Sequence, residues 1–497
     1  MRRRGRGAGF SGRACEIVAV TALLAASLAG CGGGSSSSTT PGLVLSPCSR
    51  DGISARCGTL LVREQRLADT GRRIPLRVVV FPAAAPRRHP DPIVWFAGGP
   101  GDSAVDMINR VRPLFGAVTD RDVVFIDQRG TGASKLTCPA FPGLADKAAL
   151  RTSVESCLQH LQADLGSYTT AMSVDDVDEV LTDLQYAKVN VVGISYGATA
   201  EQVFLERHAD RVRTMTLLSG TLLDVPVFER FPQNAQRALD EVFDECAGDP
   251  GCHRAFPELR ADWSAAWNSI NQHPWVVPAD RSPTGRRVVF DADWLATGLH
   301  QQLTVATTQA GVPLLIHILG SATDRVAALL AIAKAMPEDQ NTTASGNQML
   351  AYATRCNEAW ARFDPDRLGG SNGYEYQSDL ANARWWQYVC RLISPAHALA
   401  TSGQQPSANV PVLALNGEAD PQDPPANMTG AAALWPNSLE LAVPGQAHDL
   451  DPNSAACVTS IMTSFIDRGA PDDLDTTCLS TLGPPQFPLT LQALARG

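Results

Sequence analysis

No basic stripe, no nucleic-acid motif and no internal repeat occurs in the 497 residues. The formal net charge is −10, which argues against a polyanionic partner such as nucleic acid. C-x-x-C and paired-histidine spacings are also missing, so the sequence offers no metal site and calls for no cofactor. The one apolar run near the start, Ile17 to Leu28, is too short to span a bilayer as a mature helix. What remains is an ordinary globular mixture of 44% hydrophobic and 19% charged residues, which excludes wholesale disorder. The length allows one large core or two smaller ones.

The ends of that short run give it a meaning. Arg2, Arg3, Arg4, Arg6 and Arg13 precede it, and it closes on Leu28-Ala29-Gly30-Cys31. Residues 1–30 therefore read as an export signal, and the closing tetrapeptide resembles the lipobox of bacterial lipoproteins. The resemblance implies that Cys31 becomes a lipidated N-terminus attached to the membrane of the cell envelope. Residues 31–47 begin almost entirely with Gly and Ser and read as a flexible tether. Removing the signal takes five arginines and one glutamate and leaves a charge of −14.

Beyond Cys15 and Cys31, ten cysteines remain. An even number after export favours disulfides over metal binding. Proximity along the chain suggests the pairs Cys48–Cys57, Cys138–Cys157, Cys246–Cys252, Cys356–Cys390 and Cys457–Cys478, although spacing alone does not fix connectivity.

Runs rich in β-branched residues mark strands over 59–64 and 74–81, then 93–96, 122–126, 189–194 and 212–218. Ser173 to Leu184 shows helical periodicity, with Ser173 as the expected N-cap. Strands alternating with helices predict an α/β class: a mostly parallel sheet covered on both faces. The rhythm breaks over 221–405, where helical patterns dominate and seven of the nine tryptophans fall. That stretch reads as a helical cap inserted between a first core segment, 48–220, and a second, 406–497. Some of its tryptophans are candidates to wall a pocket.

The chemistry concentrates at three loops. Gly193-Ile194-Ser195-Tyr196-Gly197 joins an apolar strand to a helix, the strand–turn–helix setting in which a serine hydroxyl is presented above a sheet. A serine needs a base, and the base needs an orienting acid. Asp420 follows the strand 410–415, and His448 follows the strand 439–443, giving the order Ser…Asp…His. Asp423 and Glu418 are competitors for the acid. Tetrahedral chemistry also needs amide donors for an oxyanion. The amide of Tyr196 is one candidate, and Gly99, with Gly98 as the alternative, is the second.

Together Gly98-Gly99-Pro100-Gly101, residues 127–134 (DQRGTGAS), Gly193–Gly197 and Gly417-Glu418-Ala419-Asp420-Pro421 resemble the proline iminopeptidase family of α/β-hydrolases. The likeness is to its exported tripeptidyl aminopeptidases and covers about residues 45–480. It implies an α/β-hydrolase fold with a helical cap and removal of short units from peptide N-termini. It also implies acidic cap residues that take the substrate's free amine, and Arg355-Cys356-Asn357-Glu358 matches that segment. Glu358 is the candidate, assisted by Asn357. The chain departs from the family at Asp423 and Asp102, which bears on substrate preference. A carboxylesterase or lipase of the same fold and a non-catalytic surface-binding lipoprotein remain open as alternatives.

Overall fold

Among the described residues eleven strands form, nine of them in one sheet. The computed structural model describes residues 42–495 apart from 67, 69–70, 87, 117, 140–146, 283–284, 336–346, 359–362, 394–405, 407 and 450–451. The signal 1–30, Cys31 and the Gly/Ser stretch lie outside the described residues, as does Trp360.

The sheet opens with β1 (Ser46–Arg50), β2 (Ile53–Arg63) and β3 (Arg73–Phe81), paired antiparallel. It continues with β4 (Ile93–Phe96), β5 (Val123–Ile126), β6 (Val189–Ile194), β7 (Val212–Leu218), β10 (Val412–Gly417) and β11 (Ser438–Val443). The spatial order is β1-β2-β3-β5-β4-β6-β7-β10-β11. From β5 to β11 every pairing is parallel. The buried faces are continuous apolar runs because helices cover both sides. One core packs Val94, Phe96, Val191 and Phe204 on one face, and another packs Trp95, Phe125, Leu415 and Phe465 on the other. Phe204 lies fully buried at 5.7 Å from Phe96, and truncating it to alanine would cost about 3–5 kcal/mol.

Four sequence expectations change. The tether does not reach residue 47, because β1 begins at Ser46 and Leu43 and Leu45 already pack on the core. The helix after residue 169 spans Thr170–Asp183, and its cap is Thr169, whose side chain accepts from the Met172 amide; Ser173 is buried inside the first turns. Within 221–405 a hairpin appears, β8 (Trp275–Val277) with β9 (Val288–Phe290), too short to show in periodicity.

The fourth change concerns the cap boundaries. The cap's own cores draw on Val227–Gly248, Leu259–Gln272, Ala292–Thr304, Val312–Ser321 and Arg325–Ala335. Helices Gln348–Asn357 and Tyr376–Ile393 instead bury Leu350, Tyr352, Trp385 and Val389 in the sheet's core. At the other end, Phe487, Leu491 and Leu494 pack into the cap. Apolar periodicity says that a face is buried; it does not say against which partner.

The five disulfides join Cys48–Cys57, Cys138–Cys157, Cys246–Cys252, Cys356–Cys390 and Cys457–Cys478. Such density belongs to the oxidising environment outside the cytosol, so the protein is exported. Among the described residues no helix is long and apolar enough to cross a membrane.

Candidate active site

The site forms at the carboxyl ends of the parallel strands, where ligands bind in open α/β sheets. At the end of β6 the chain turns sharply into helix Tyr196–His208, and Ser195 takes φ 57°, ψ −122°. A non-glycine residue held there stores about 1–3 kcal/mol of strain. The flanking glycines are sterically required. A Cβ on Gly193 would stand 2.5 Å from the Gly197 carbonyl, and one on Gly197 would stand 2.1 Å from the Phe96 carbonyl oxygen.

His448 lies in the loop after β11, with Nε2 3.0 Å from Ser195 Oγ. Its Nδ1 donates to Asp420 Oδ2 at 2.9 Å. Asp420 is fully buried, and its Oδ1 accepts from the amides of Gln422 and Asp423, each at 2.8 Å. The three side chains separated in sequence thus converge in one relay. Asp423 Oδ2 is farther from His448 Nδ1, at 3.6 Å, and its Oδ1 accepts from Thr221 Oγ1. Glu418 takes part through its backbone: its carbonyl accepts from Arg237 and its amide donates to the Val443 carbonyl.

Charge follows this geometry. Burial opposes ionisation of Asp420, but the His448 charge and three hydrogen bonds, from His448 and the amides of Gln422 and Asp423, outweigh it and hold the carboxyl below its usual value. Burial would lower the imidazole, yet Asp420, Asp423 and Asp449 together raise it above the ordinary histidine range. Burial, against the opposing pull of His448, pushes Asp423 up to about 6. Asp420, Asp423 and His448 are also the one group of ligand-type side chains among the described residues with donor atoms all within 4.8 Å. Both imidazole nitrogens already face Asp420 and Ser195, so neither is turned toward an ion.

The glycine loop after β4 lies against the serine. The Cβ position of Gly98 is 3.6 Å from Ser195 Cβ, and Gly99 takes φ +110°. Gly99, Tyr196 and Ser195 line one cavity, while Gly98, Gly99 and Ser195 line a second. The motif at 127–134 acts behind this loop. Asp127 accepts from Ser103 Oγ at 2.7 Å, from the Val105 amide and from Arg77. Arg129 makes a fully buried fork to Asp176, both contacts at 2.8 Å.

Ser195 opens onto two spaces. The first, about 400 Å³, includes Thr170, Phe228, Arg355 and Glu358. The second, about 880 Å³, includes Asp102, Arg110, His448 and Asp449. Burial raises the Asp102 pKa, offset by Arg110. Glu358 does reach the serine's cavity, but as a braced group: Oε1 accepts from the Thr170 amide and Oε2 from Thr170 Oγ1 at 2.7 Å. Thr170 Oγ1 in turn pairs with the Tyr196 hydroxyl at 2.8 Å. Asn357 does not line that cavity. It is buried, with Nδ2 donating to the Leu165 carbonyl, so the expectation that it assists Glu358 is corrected: one residue earlier on the helix, the side chain points inward. Among the tryptophans of 221–405, Trp386 alone among the described residues borders one of these connected spaces, through a smaller cavity of about 260 Å³.

Sequence reasoning missed the braces supplied by the cap. Arg237 donates to the Glu418 and Asp420 carbonyls, both at 2.7 Å. Gln309 donates to the Ala419 carbonyl, and Thr304, the last residue of helix Ala292–Thr304, accepts from the amides of His448 and Asp449. Nothing in their local sequence marks these residues, because each works through the backbone of a distant loop.

A doubly flanked sheet with a strained serine between Gly193 and Gly197, and an acid and a histidine on the last two strands, defines an α/β hydrolase. The alpha/beta hydrolase fold model matches residues 91–263, and a model described as TAP-like protein matches residues 378–478. The chain thus has the α/β-hydrolase fold, and its residues 378–478 are similar to TAP-like proteins. No curated protein matches the sequence. Similar solved structures include proline iminopeptidase from Mycobacterium smegmatis, 15% identical over 83% of this chain and 98% of that one, TM-score 0.39. A thermophilic esterase from Thermogutta terrifontis is 14% identical over 83% and 99%, TM-score 0.35. An epoxide hydrolase from Bacillus megaterium is 14% identical over 79% and 97%, TM-score 0.39.

Proposed function

We propose that the protein is a serine exopeptidase of the cell envelope, held there by a lipid on Cys31, that removes short units from free peptide N-termini. The observation that carries the reading is the contact of His448 Nε2 with Ser195 Oγ at 3.0 Å, backed by Asp420. Ser195 Oγ attacks the scissile carbonyl and His448 Nε2 takes its proton. The amides of Tyr196 and Gly99 receive the oxyanion, and His448 then protonates the leaving amine. Water, activated by the same imidazole, releases the acyl group from Ser195.

Glu358 supports the exopeptidase part of this reading. A carboxylate offers about four lone-pair sites, so bonds to Thr170 leave capacity for an ammonium. Its place in the serine's cavity would then limit how far from the chain end cleavage occurs. One observation favours a carboxylesterase instead. Glu358 sits on the first amide of helix Thr170–Asp183, where a purely structural carboxylate would also sit.

Hydrolysis of tripeptide arylamides with free and acetylated N-termini separates the readings. The exopeptidase predicts a loss of at least about 100-fold in kcat/KM on acetylation. Equal rates on both, or turnover of acyl esters alone, would favour the esterase.

A further inference from the structure

Arg355 is the arginine on the wall of the serine's cavity that lacks an acid. The others there are committed: Arg207 pairs with Asp175 at 2.7 Å and Arg367 with Glu229 at 3.4 Å. Among the described residues no carboxylate lies within ion-pair distance of Arg355. Its guanidinium lies over two aromatic rings, 5.5 Å from the Phe228 centroid and 5.3 Å from that of Trp386. One Nη2 donates, at 3.3 Å, to the carbonyl of Gly99 on the glycine loop. The side chain borders both the serine's cavity and the adjoining one of about 260 Å³.

This is an unusual position for a cation. The two rings displace part of its water while the residue stays half-buried, and burial lowers its pKa to about 10, which still leaves it charged at neutral pH. A guanidinium has five donors in a rigid fork, and one weak contact to a carbonyl leaves most of that fork open. An anion entering the cavity would meet a flat, pre-oriented, partly desolvated partner, a setting that favours charge-assisted Arg–carboxylate pairing. The helix carrying Arg355 is fixed by the Cys356–Cys390 disulfide, so the fork is held in place before any ligand arrives.

We propose that Arg355 is a specificity-determining subsite for a carboxylate on the substrate, so that the preferred peptides are acidic close to the scissile bond. The proposal rests on the reading of the Ser195 cavity as the substrate site. A single negative charge fits better than a phosphate dianion, because Glu206, Asp224, Glu229, Glu358 and Asp423 share the same wall. A space of about 400 Å³ is roughly 9 Å across, the reach of about three extended residues, so the carboxylate lies within about three residues of the cleaved carbonyl.

The test measures binding apart from turnover. Tripeptide amides with a free N-terminus and Glu at the first, second or third position, together with their Gln counterparts, are titrated calorimetrically into the Ser195→Ala protein. One Glu position is expected to bind at least about tenfold more tightly than its Gln partner. In Ser195→Ala/Arg355→Met that ratio falls to about one, and Arg355→Lys retains a fraction of it. Because Glu and Gln peptides are compared within one variant, a general loss of structure cannot mimic the result. Equal binding of Glu and Gln peptides at all three positions, or a preference unchanged in the Arg355 variants, overturns the proposal. Arylamides of the same peptides then assay the wild-type protein. Glu-selective binding without arylamide turnover would sink the peptidase reading and leave the subsite standing, while turnover without Glu selectivity would do the reverse.

Discussion

At the scale of single residues, the acid of the relay is decided by 0.7 Å and by hydrogen bonds. Asp420 is nearer to His448 Nδ1 than Asp423, at 2.9 Å against 3.6 Å, and is held ionised by two amides. Asp420→Asn should therefore lower kcat by about 10³–10⁴-fold through loss of the productive tautomer, while Asp423→Asn stays within about tenfold. Steady-state kinetics of the two variants checks this, and the reverse order would move the acid to Asp423. The raised pKa of His448 has its own consequence. The base must be neutral to act, so the acid limb of kcat/KM should lie above the ordinary imidazole value of 6.5 and move down in Asp420→Asn.

Glu201 is a second residue-scale case. It is fully buried in the helix behind Ser195, and among the described residues only the Gly193 amide acts on its carboxylate, without forming a well-shaped hydrogen bond. Burial raises its pKa well above the ordinary value of 4.5. An acid raised on folding destabilises the native state once the unfolded chain ionises, so stability is full below pH 4.5 and declines as pH rises toward the folded value. Glu201→Gln should raise the melting temperature at pH 8 and leave it nearly unchanged at pH 4, as calorimetry at both values would show. An equal shift at both pH values would mean that packing, not charge, is responsible.

At the scale of elements, the catalytic loops are held partly by the cap. Helix Val227–Gly248 reaches the acid's loop through Arg237, and helix Ala292–Thr304 ends on the histidine's loop. Arg237→Met removes two charge-assisted bonds to the acid's loop, worth about 1.5–3 kcal/mol each before relaxation, together with the ion pair to Glu241 on its own helix. Its expected signature is a lower kcat with KM little changed and far-ultraviolet dichroism intact. A change in KM alone would place Arg237 in substrate binding instead. This division explains what the sequence disclosed. Ser195, Asp420 and His448 were legible because each follows a strand whose apolar run is visible locally. Arg237, Gln309 and Thr304 were not, because a group that braces a backbone 110 or more residues away leaves no mark on its own neighbours. The same locality explains why Asn357 was misassigned: a motif names a helix turn without saying which side chain faces the cavity.

At the scale of the whole molecule, the alternation of strands and helices made the α/β sheet readable, and chain proximity suggested the disulfide pairs now seen. The division between core and cap was read less well. Helices Gln348–Asn357 and Tyr376–Ile393 carry the same amphipathic pattern as the cap helices but bury their apolar faces against the sheet. Cys356–Cys390 joins these two helices across 34 residues. Replacing both cysteines with serine should destabilise the protein by about 2–4 kcal/mol, measured by chemical unfolding under oxidising conditions. It should also weaken Arg355-dependent selectivity, since Arg355 lies beside the bond.

The most direct measurement of the central claim is peptide mapping by mass spectrometry after reaction with a fluorophosphonate. Stoichiometric modification of Ser195, abolished in Ser195→Ala and slowed by at least about 10²-fold in His448→Ala, is the expected result. Modification at another residue, or a Ser195→Ala protein that keeps its hydrolytic rate, would contradict it.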